Sequence, residues 1–470
     1  MTLRTGFLLT VLTGIFVASA SAGDDSVNAA LKLYEKRRYE QAARVLEGAA
    51  DGGAQAHLVL GMIYLRKADL HEAFARTAGA VGLDYLDKLT KADGEARSRY
   101  ARLYLAEALA ARGNAQEAAR HFERVRADPG VDAKHRALAS LGLGGVPRTE
   151  SLEVRLARAA AQRPAEPRAL RALADSASAT KDLSPRARRY LVEIYLAAGA
   201  PEQALAVVRG TELGAASYVE TFRAAKGTAK SIAFYDLALL NDLARLYREL
   251  ARRRLEQAAG DARVRPTAEY YLAEALSALG ENAAAADMAR AFLARPQAPA
   301  LYRARAQARL ALIDYRQGKK EAAEGAWSAM GETGDAELIA AAVLGCAEAH
   351  APCAKLLARA AQATDAGEPR RMRALNLALG AYYLRASDYA RAIAYLEAGR
   401  DKSNKNKIEA NDPEMLTGLA EAYYRTKKFS EGLEIFFEMS QEFAVVRQIQ
   451  EALQGVYSME QRSAGDVRIL

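Results

Sequence analysis

Residues 379–396 read LGAYYLRASDYARAIAYL, and residues 419–436 read LAEAYYRTKKFSEGLEIF. Each stretch opens with a small residue and a pair of tyrosines, crosses a short polar break, resumes at an aromatic and reaches a second small residue. The small residues stand twelve apart, 392 − 380 and 432 − 420. On either side of the break, apolar residues recur at intervals of three and four, the spacing that puts them on one face of a helix. Each stretch therefore predicts two short helices folded against each other. A large side chain at their crossing would hold them apart, so Gly380 and Ala392 mark the crossing while Tyr383 and Tyr389 fill the space beside it.

The offset of twelve recurs along the chain. It links Ala30 to Ala42, Ala106 to Ala118, Val192 to Ala204, Ala273 to Ala285 and Ala311 to Ala323. A further copy, Leu60-Gly61-Met62-Ile63-Tyr64 followed by Asp69-Leu70 and Ala73-Phe74, predicts a hairpin over 57–80. Turn residues lie between the paired positions at Gly113-Asn114, Gly199-Ala200-Pro201, Gly280-Glu281-Asn282 and Gly318-Lys319. Runs of alternating β-branched residues are not evident, so strands are not expected, and 232–258 reads as one long helix.

This pattern resembles the tetratricopeptide repeat family, whose unit is a helix–turn–helix of about 34 residues with a Leu-Gly, Tyr, Ala and Phe/Tyr signature. The resemblance covers most of 24–450 and is strongest at 57–80, 101–126, 376–399 and 416–439. It implies an all-α fold, a right-handed superhelical solenoid of stacked hairpins, in which neighbours bury the apolar face that a single hairpin cannot. The copies are unevenly spaced: 61 − 30 is 31, whereas 420 − 380 is 40. The expected organisation is a signal peptide at 1–22, N-terminal repeats at 23–130, degenerate helical hairpins at 131–188 and central repeats at 189–335. A cysteine-containing hairpin at 336–366, a C-terminal pair with a capping helix at 367–457 and a flexible tail at 458–470 complete it.

Composition agrees with a helical globular chain: 51% of residues are hydrophobic, 26% are charged, and Ala, Leu, Arg and Glu dominate. Met1 to Arg4, an apolar run from Phe7 to Ala18 and the small residues Ala20-Ser21-Ala22 have the layout of a cleavable secretory signal. The run is shorter than the roughly 20 residues of a membrane span. Cleavage after Ala22 is expected, with a mature chain of 8 − 1 = +7 and a periplasmic location. No later segment approaches the length of a membrane span. Residues 402–407 (KSNKNK) read as a polar loop before the last hairpin.

No catalytic signature is present: there is no His-Glu-x-x-His, Gly-x-Ser-x-Gly or phosphate-loop motif, and five histidines stand singly. No catalytic residue, metal or cofactor is expected. Cys346 and Cys353 flank the turn His350-Ala351-Pro352 and are either joined as a staple between two helix ends or two buried thiols. Basic residues cluster at the starts of first helices: Arg186, Arg188 and Arg189 after Ser184-Pro185, Arg303 and Arg305 after Pro299, and Arg370, Arg371 and Arg373 after Pro369. Helix N-termini already carry partial positive charge. Aligned along one edge of the array, these arginines would attract an acidic partner, unless acids of neighbouring helices neutralise them.

Some members of the tetratricopeptide family grip acidic chain ends through Lys and Asn on the first helix. The matching positions here are Val27 and Leu31, Leu58 and Met62, Leu103 and Glu107, and Leu377 and Ala381, so that clamp is not expected. Leu58, Met62, Leu65, Leu384 and Tyr424 instead suggest an apolar groove for a protein segment. The expected function is a non-enzymatic exported scaffold that mediates protein–protein interactions in a cell-envelope assembly. The alternative is a component of an exopolysaccharide export system that contacts an anionic polysaccharide. Nucleic acid is not an expected partner of an exported chain.

Overall fold

The structure is a computed structural model that describes residues 22–48, 53–91, 96–145, 151–161, 166–180, 183–209, 217–223, 229–235, 237–296, 298–366, 369–401, 411–440 and 443–466. The signal segment up to residue 21 and the loop 402–407 lie outside the described residues. Helices α1 (Ala22–Glu35), α2 (Tyr39–Gly48), α3 (Gly53–Lys91), α4 (Ala96–Ala111), α5 (Ala115–Ala127), α6 (Ala133–Gly142), α7 (Leu152–Ala161), α8 (Pro167–Ser178), α9 (Pro185–Ala197) and α10 (Pro201–Val208) come first. Strands β1 (Ser217–Arg223) and β2 (Ala229–Tyr235) follow. The chain then returns to helix in α11 (Leu237–Ala259), α12 (Arg265–Ala278), α13 (Asn282–Leu293), α14 (Ala300–Arg316), α15 (Lys320–Glu332) and α16 (Ala336–Ala349). It continues with α17 (Ala354–Ala366), α18 (Pro369–Arg385), α19 (Tyr389–Gly399), α20 (Pro413–Arg425), α21 (Phe429–Ser440) and α22 (Ala444–Asp466).

The chain forms two compact units, one of residues 1–70 and 247–439, the other of 71–246 and 440–470. In the first, packing is serial. Helix α12 meets α13 and α14, α14 meets α15 and α16, α16 meets α17 and α18, and α18 meets α19 and α20. This nearest-neighbour order makes the described residues of the unit a serial array of helical hairpins. In the second unit, α4 through α7 pack in succession, α9 collects α7, α8 and α10, and β2 lies against α4 and α22.

The small residues sit where the spacing predicts. Ala30, Ala42, Ala204, Ala285 and Ala392 are fully buried. A methyl at Gly380 would stand 2.5 Å from Leu396 Cδ2 of the paired helix, closer than carbon atoms approach. Turn geometry follows from the same register. Seven residues after the first small residue (387 − 380, 280 − 273) the backbone turns left-handed, at Arg37, Gly113, Gly199, Gly280, Gly318, Ser387 and Lys427. That conformation ends a helix and reverses the chain. Side-chain caps then start the next helix: Asn114, Asp132, Ser184, Asp335, Asp388 and Asp412 each accept from a backbone N–H of the first turn.

The structure departs from the sequence reading in three places. The stretch 57–80 is not a hairpin but part of the unbroken helix α3. The position that should turn, Ala68 (68 − 61 = 7), is fully buried within it. Gly61 meets Leu255 Cγ and the Ala251 carbonyl of α11, so α11 takes the place that a returning helix would occupy. Second, Ser217–Arg223 and Ala229–Tyr235 pair as two antiparallel strands, Ser217 opposite Tyr235 and Arg223 opposite Ala229. The expected long helix therefore begins at Leu237 rather than Ile232. Third, the C-terminal helix runs to Asp466, through most of the expected flexible tail. Its Gly455 lies against the ring of Tyr85, where a methyl would come within 2.7 Å. No helix among the described residues is long and apolar enough to cross a membrane.

Candidate functional site

The residues expected to form an apolar groove are core. Leu58, Met62, Leu65, Leu384 and Tyr424 are all at most 8% exposed, so none offers a free apolar surface.

The expected basic edge is also not a continuous row. Arg186 is 1% exposed. Its guanidinium donates to Glu107 at 2.5 Å, lies 3.8 Å from Glu153 and sits over the ring of Tyr104. A buried charge persists only when it is paired, and here acids of neighbouring helices neutralise it. Arg188 is half-buried. Arg189 lies over Tyr190, with Glu193 at 3.9 Å. Arg303 donates to the Arg295 carbonyl at 2.9 Å, and Arg373 donates to Asn411 at 3.2 Å. Arg370 and Arg371 begin α18, and their side chains lie outside the described residues. Arg305 alone of this set faces something different.

Arg305 belongs to a polar seam within the first unit. The seam takes Tyr34 from α1, Arg66 and Asp69 from α3, Tyr270, Tyr271 and Glu274 from α12, and Tyr302, Arg305 and Arg309 from α14. Glu348 of α16 and Glu414 of α20 complete it. Arg66 pairs with Asp69 at 3.1 Å and approaches Glu414 at 3.9 Å. Arg309 donates to Glu348 at 2.7 Å and stands 3.8 Å from Glu274, which also accepts from the Tyr270 hydroxyl at 2.8 Å. The rings of Tyr270 and Tyr302 meet edge to face at 4.7 Å. The hydroxyls of Tyr271 and Tyr302 share one hydrogen bond at 3.5 Å.

Burial and charge set the protonation of these groups. Burial lowers the guanidinium of Arg309, but Glu348 and Glu274 outweigh it and hold the pKa well above the ordinary value. Glu348 is pushed up by burial and pulled down further by Arg309, Arg385 and Arg316, with a net lowering. Burial opposes the charge on Arg66, which Tyr34, Asp69 and Glu414 restore. Burial and the surrounding hydroxyls raise Tyr271, and burial and Glu274 raise Tyr270. Arg66, Arg305 and Arg309 are therefore charged, and Tyr270, Tyr271 and Tyr302 keep their protons near neutral pH. Yet the charged side chains are not sealed: Arg66 and Arg309 keep 19% and 20% of their surface, and Glu348 keeps 31%. Groups desolvated by their neighbours but still reached by water line a recess rather than a core.

This recess is not among the sites expected from the sequence, although a signal for it exists there. Glu274 directly follows the small crossing residue Ala273, where an apolar side chain would serve packing better. The cysteines are joined, Cys346 to Cys353, with Cα atoms 6.4 Å apart across the left-handed His350. Among the described residues no cluster of His, Cys, Asp or Glu could hold a metal ion.

No family model matches the chain, and no curated protein matches it. Among solved structures it is similar to yeast Tom70, at 11% identity over 94% of this chain and 96% of that one, with a TM-score of 0.33. It is also similar to the TPR domain of P58(IPK), at 15% identity over 94% of this chain and 99% of that one, with a TM-score of 0.21. These scores add nothing to the fold assignment, which rests on the helices themselves.

Proposed function

We propose that the chain is a non-enzymatic, exported repeat scaffold that holds a protein partner of a cell-envelope assembly. One observation carries the reading. The first helices of successive hairpins, α12, α14 and α16, bring the charged side chains Glu274, Arg309 and Glu348 together above buried tyrosines and leave them reached by solvent instead of burying them. A packed array has no structural need for such a wall, because apolar residues of the same volume would serve packing at least as well. Arg66, Arg309 and Glu348 are held in their charged forms, which suits recognition by fixed charges rather than proton transfer. Export rests on the layout of residues 1–22 and accords with a joined cysteine pair.

The test places a photocrosslinking side chain at Asp69, in the recess, or at Arg290, on the outer face of α13 with 60% of its side chain exposed. After irradiation of intact cells, a discrete protein adduct from position 69 and none from 290 is the expected result. A glycan adduct from position 69 would instead favour the polysaccharide alternative. Equal yields from both positions, or a chain retained in the cytosol, would overturn the reading.

A further inference from the structure

The turn between α16 and α17 contains two left-handed residues that are not glycine. His350, at φ +52°, ends α16 as such residues end other helices of the chain. Cys353, at φ +30°, starts α17, and its carbonyl accepts the Leu357 N–H at 3.1 Å. A helix start ordinarily takes an extended backbone and a Ser, Thr, Asp or Asn side chain, and a left-handed cysteine supplies neither. What it supplies is the second sulfur of the bond to Cys346. The same turn anchors the next hairpin: the Tyr382 hydroxyl of α18 shares its proton between the carbonyls of Ala351 and Pro352, each at 3.1 Å. The two sulfurs are placed unequally. Cys346 is fully buried in the core cluster that holds Trp327, and its neighbour Gly345 faces the indole. Cys353 is half-buried, between the exposed residues Pro352 and Ala354, at a helix N-terminus that favours a thiolate over a thiol.

We propose that this bond is a reversible redox site, entered through Cys353 by a dithiol oxidoreductase, and that its state decides whether the α16–α17 turn is locked to α18. A thiolate of the reductant attacks the accessible Cys353 Sγ. The bond to Cys346 breaks, and Cys346 Sγ leaves as a thiolate and takes up a proton. The reductant's second thiolate then attacks the reductant sulfur of the mixed disulfide, and Cys353 leaves. The protein has gained two electrons and two protons as a pair of thiols, and the reductant has become a disulfide. With the bond cut, nothing holds Cys353 in the left-handed conformation. The carbonyls of Ala351 and Pro352 move with it, and Tyr382 loses its acceptors. Binding energy at Tyr382 and the bond are therefore coupled, each favouring the other. The site needs no partner in the recess.

The test uses the full mature chain without denaturant and dithiothreitol as the dithiol. Reduction followed by alkylation should add two alkyl groups in intact mass and change the Trp327 emission, while circular dichroism remains that of a folded helical chain. Glutathione disulfide should restore the bond and the emission. The single thiols separate the two sulfurs. Cys353 in the Cys346→Ser chain should form a mixed disulfide with glutathione disulfide at least about tenfold faster than Cys346 in the Cys353→Ser chain, as expected for an exposed thiolate against a sealed thiol. At a fixed glutathione ratio, Tyr382→Phe should raise the proportion of dithiol to disulfide about threefold, the worth of one modest hydrogen bond. Two thiols in the untreated chain, or reduction that requires denaturant, overturns the proposal. So does equal reactivity of the two single thiols, or a redox equilibrium that Tyr382→Phe leaves unmoved. If a single-cysteine variant does not fold, reduction and reoxidation of the parent and of Tyr382→Phe decide the matter.

Discussion

Gly345 lies in the interior of α16, facing the largest buried side chain of the protein. An added Cβ would stand 2.6 Å from Trp327 Nε1 and 3.0 Å from its Cε2. Trp327 is completely buried, and its indole N–H donates to the Ala308 carbonyl at 3.3 Å. Gly345→Ala must therefore push the ring away and strain or break that bond. Overpacking of this kind costs about 1–3 kcal/mol, and leaving a buried donor unsatisfied adds about 1–3 kcal/mol. Alanine's better helix propensity offsets roughly 1 kcal/mol. With the hydrogen bond weakened rather than lost, the expected net destabilisation is about 2–3 kcal/mol. Trp327 is the only tryptophan in the chain, so its fluorescence during urea unfolding reports this layer alone. The transition should move to lower urea, and the native emission should shift to the red. Gly325 supplies the matched control. It lies on the same helix as Trp327, is exposed and has nothing within 4 Å of the place a methyl would take. Gly325→Ala should stabilise by up to about 1 kcal/mol. A Gly345→Ala protein as stable as its parent with unchanged emission would refute the close-crossing argument.

Three further outcomes are expected. Ser387 and Lys427 both stand at φ +60° in hairpin turns, so Ser387→Gly or Lys427→Gly should raise stability by about 0.5–1 kcal/mol, whereas Ala68→Gly, inside a continuous helix, should lower it by about 1 kcal/mol; thermal melts of the three variants decide this. Reduction of the Cys346–Cys353 bond should cost about 2–3 kcal/mol, and intact mass with and without reductant would expose two free thiols if the bond does not form. Burial raises the Asp132 carboxyl, but hydrogen bonds from the His135 side chain and backbone and from Tyr100 outweigh it and hold the pKa well below the ordinary value. Its stabilisation is therefore present above pH about 4, the unfolded carboxylate value, and is lost as pH falls further. The gap between parent and Asp132→Asn melting temperatures should be open at pH 7 and narrow below pH about 4; a gap independent of pH contradicts the assignment.

Much of the hairpin architecture is legible in residues alone. The small residues at Gly380 and Ala392, the aromatics beside them and the caps at Ser184 and Asp388 are local facts, and helix, turn and helix answer to local chemistry. The β-strand pair was not: in SYVETFR and AKSIAFY the alternation is confined to the short pairs Val219 and Thr221, and Ile232 and Phe234, too brief to stand out from the helical spacing on either side. The turn register was present, because seven residues beyond a small residue stand Gly113, Gly199, Gly280 and Gly318.

Other features depended on what came to lie alongside. Ala68 occupies the turn register and remains helical because Gly61 found α11 rather than a returning partner. Serine and lysine accept the turn at 387 and 427, so residue type could not separate the cases. Arg186 reads as an exposed helix-start charge, and it is buried because Glu107, 79 positions earlier, folds against it. Arg305 reads the same way and comes under the influence of Tyr270 and Glu274 of another helix and Arg66 of a distant one. Periodicity states which face of a helix is apolar, and charge patterning states which residues must be solvated or paired. Neither states which neighbour covers the face or answers the charge, because those partners are separated by tens of residues and meet only when the hairpins stack.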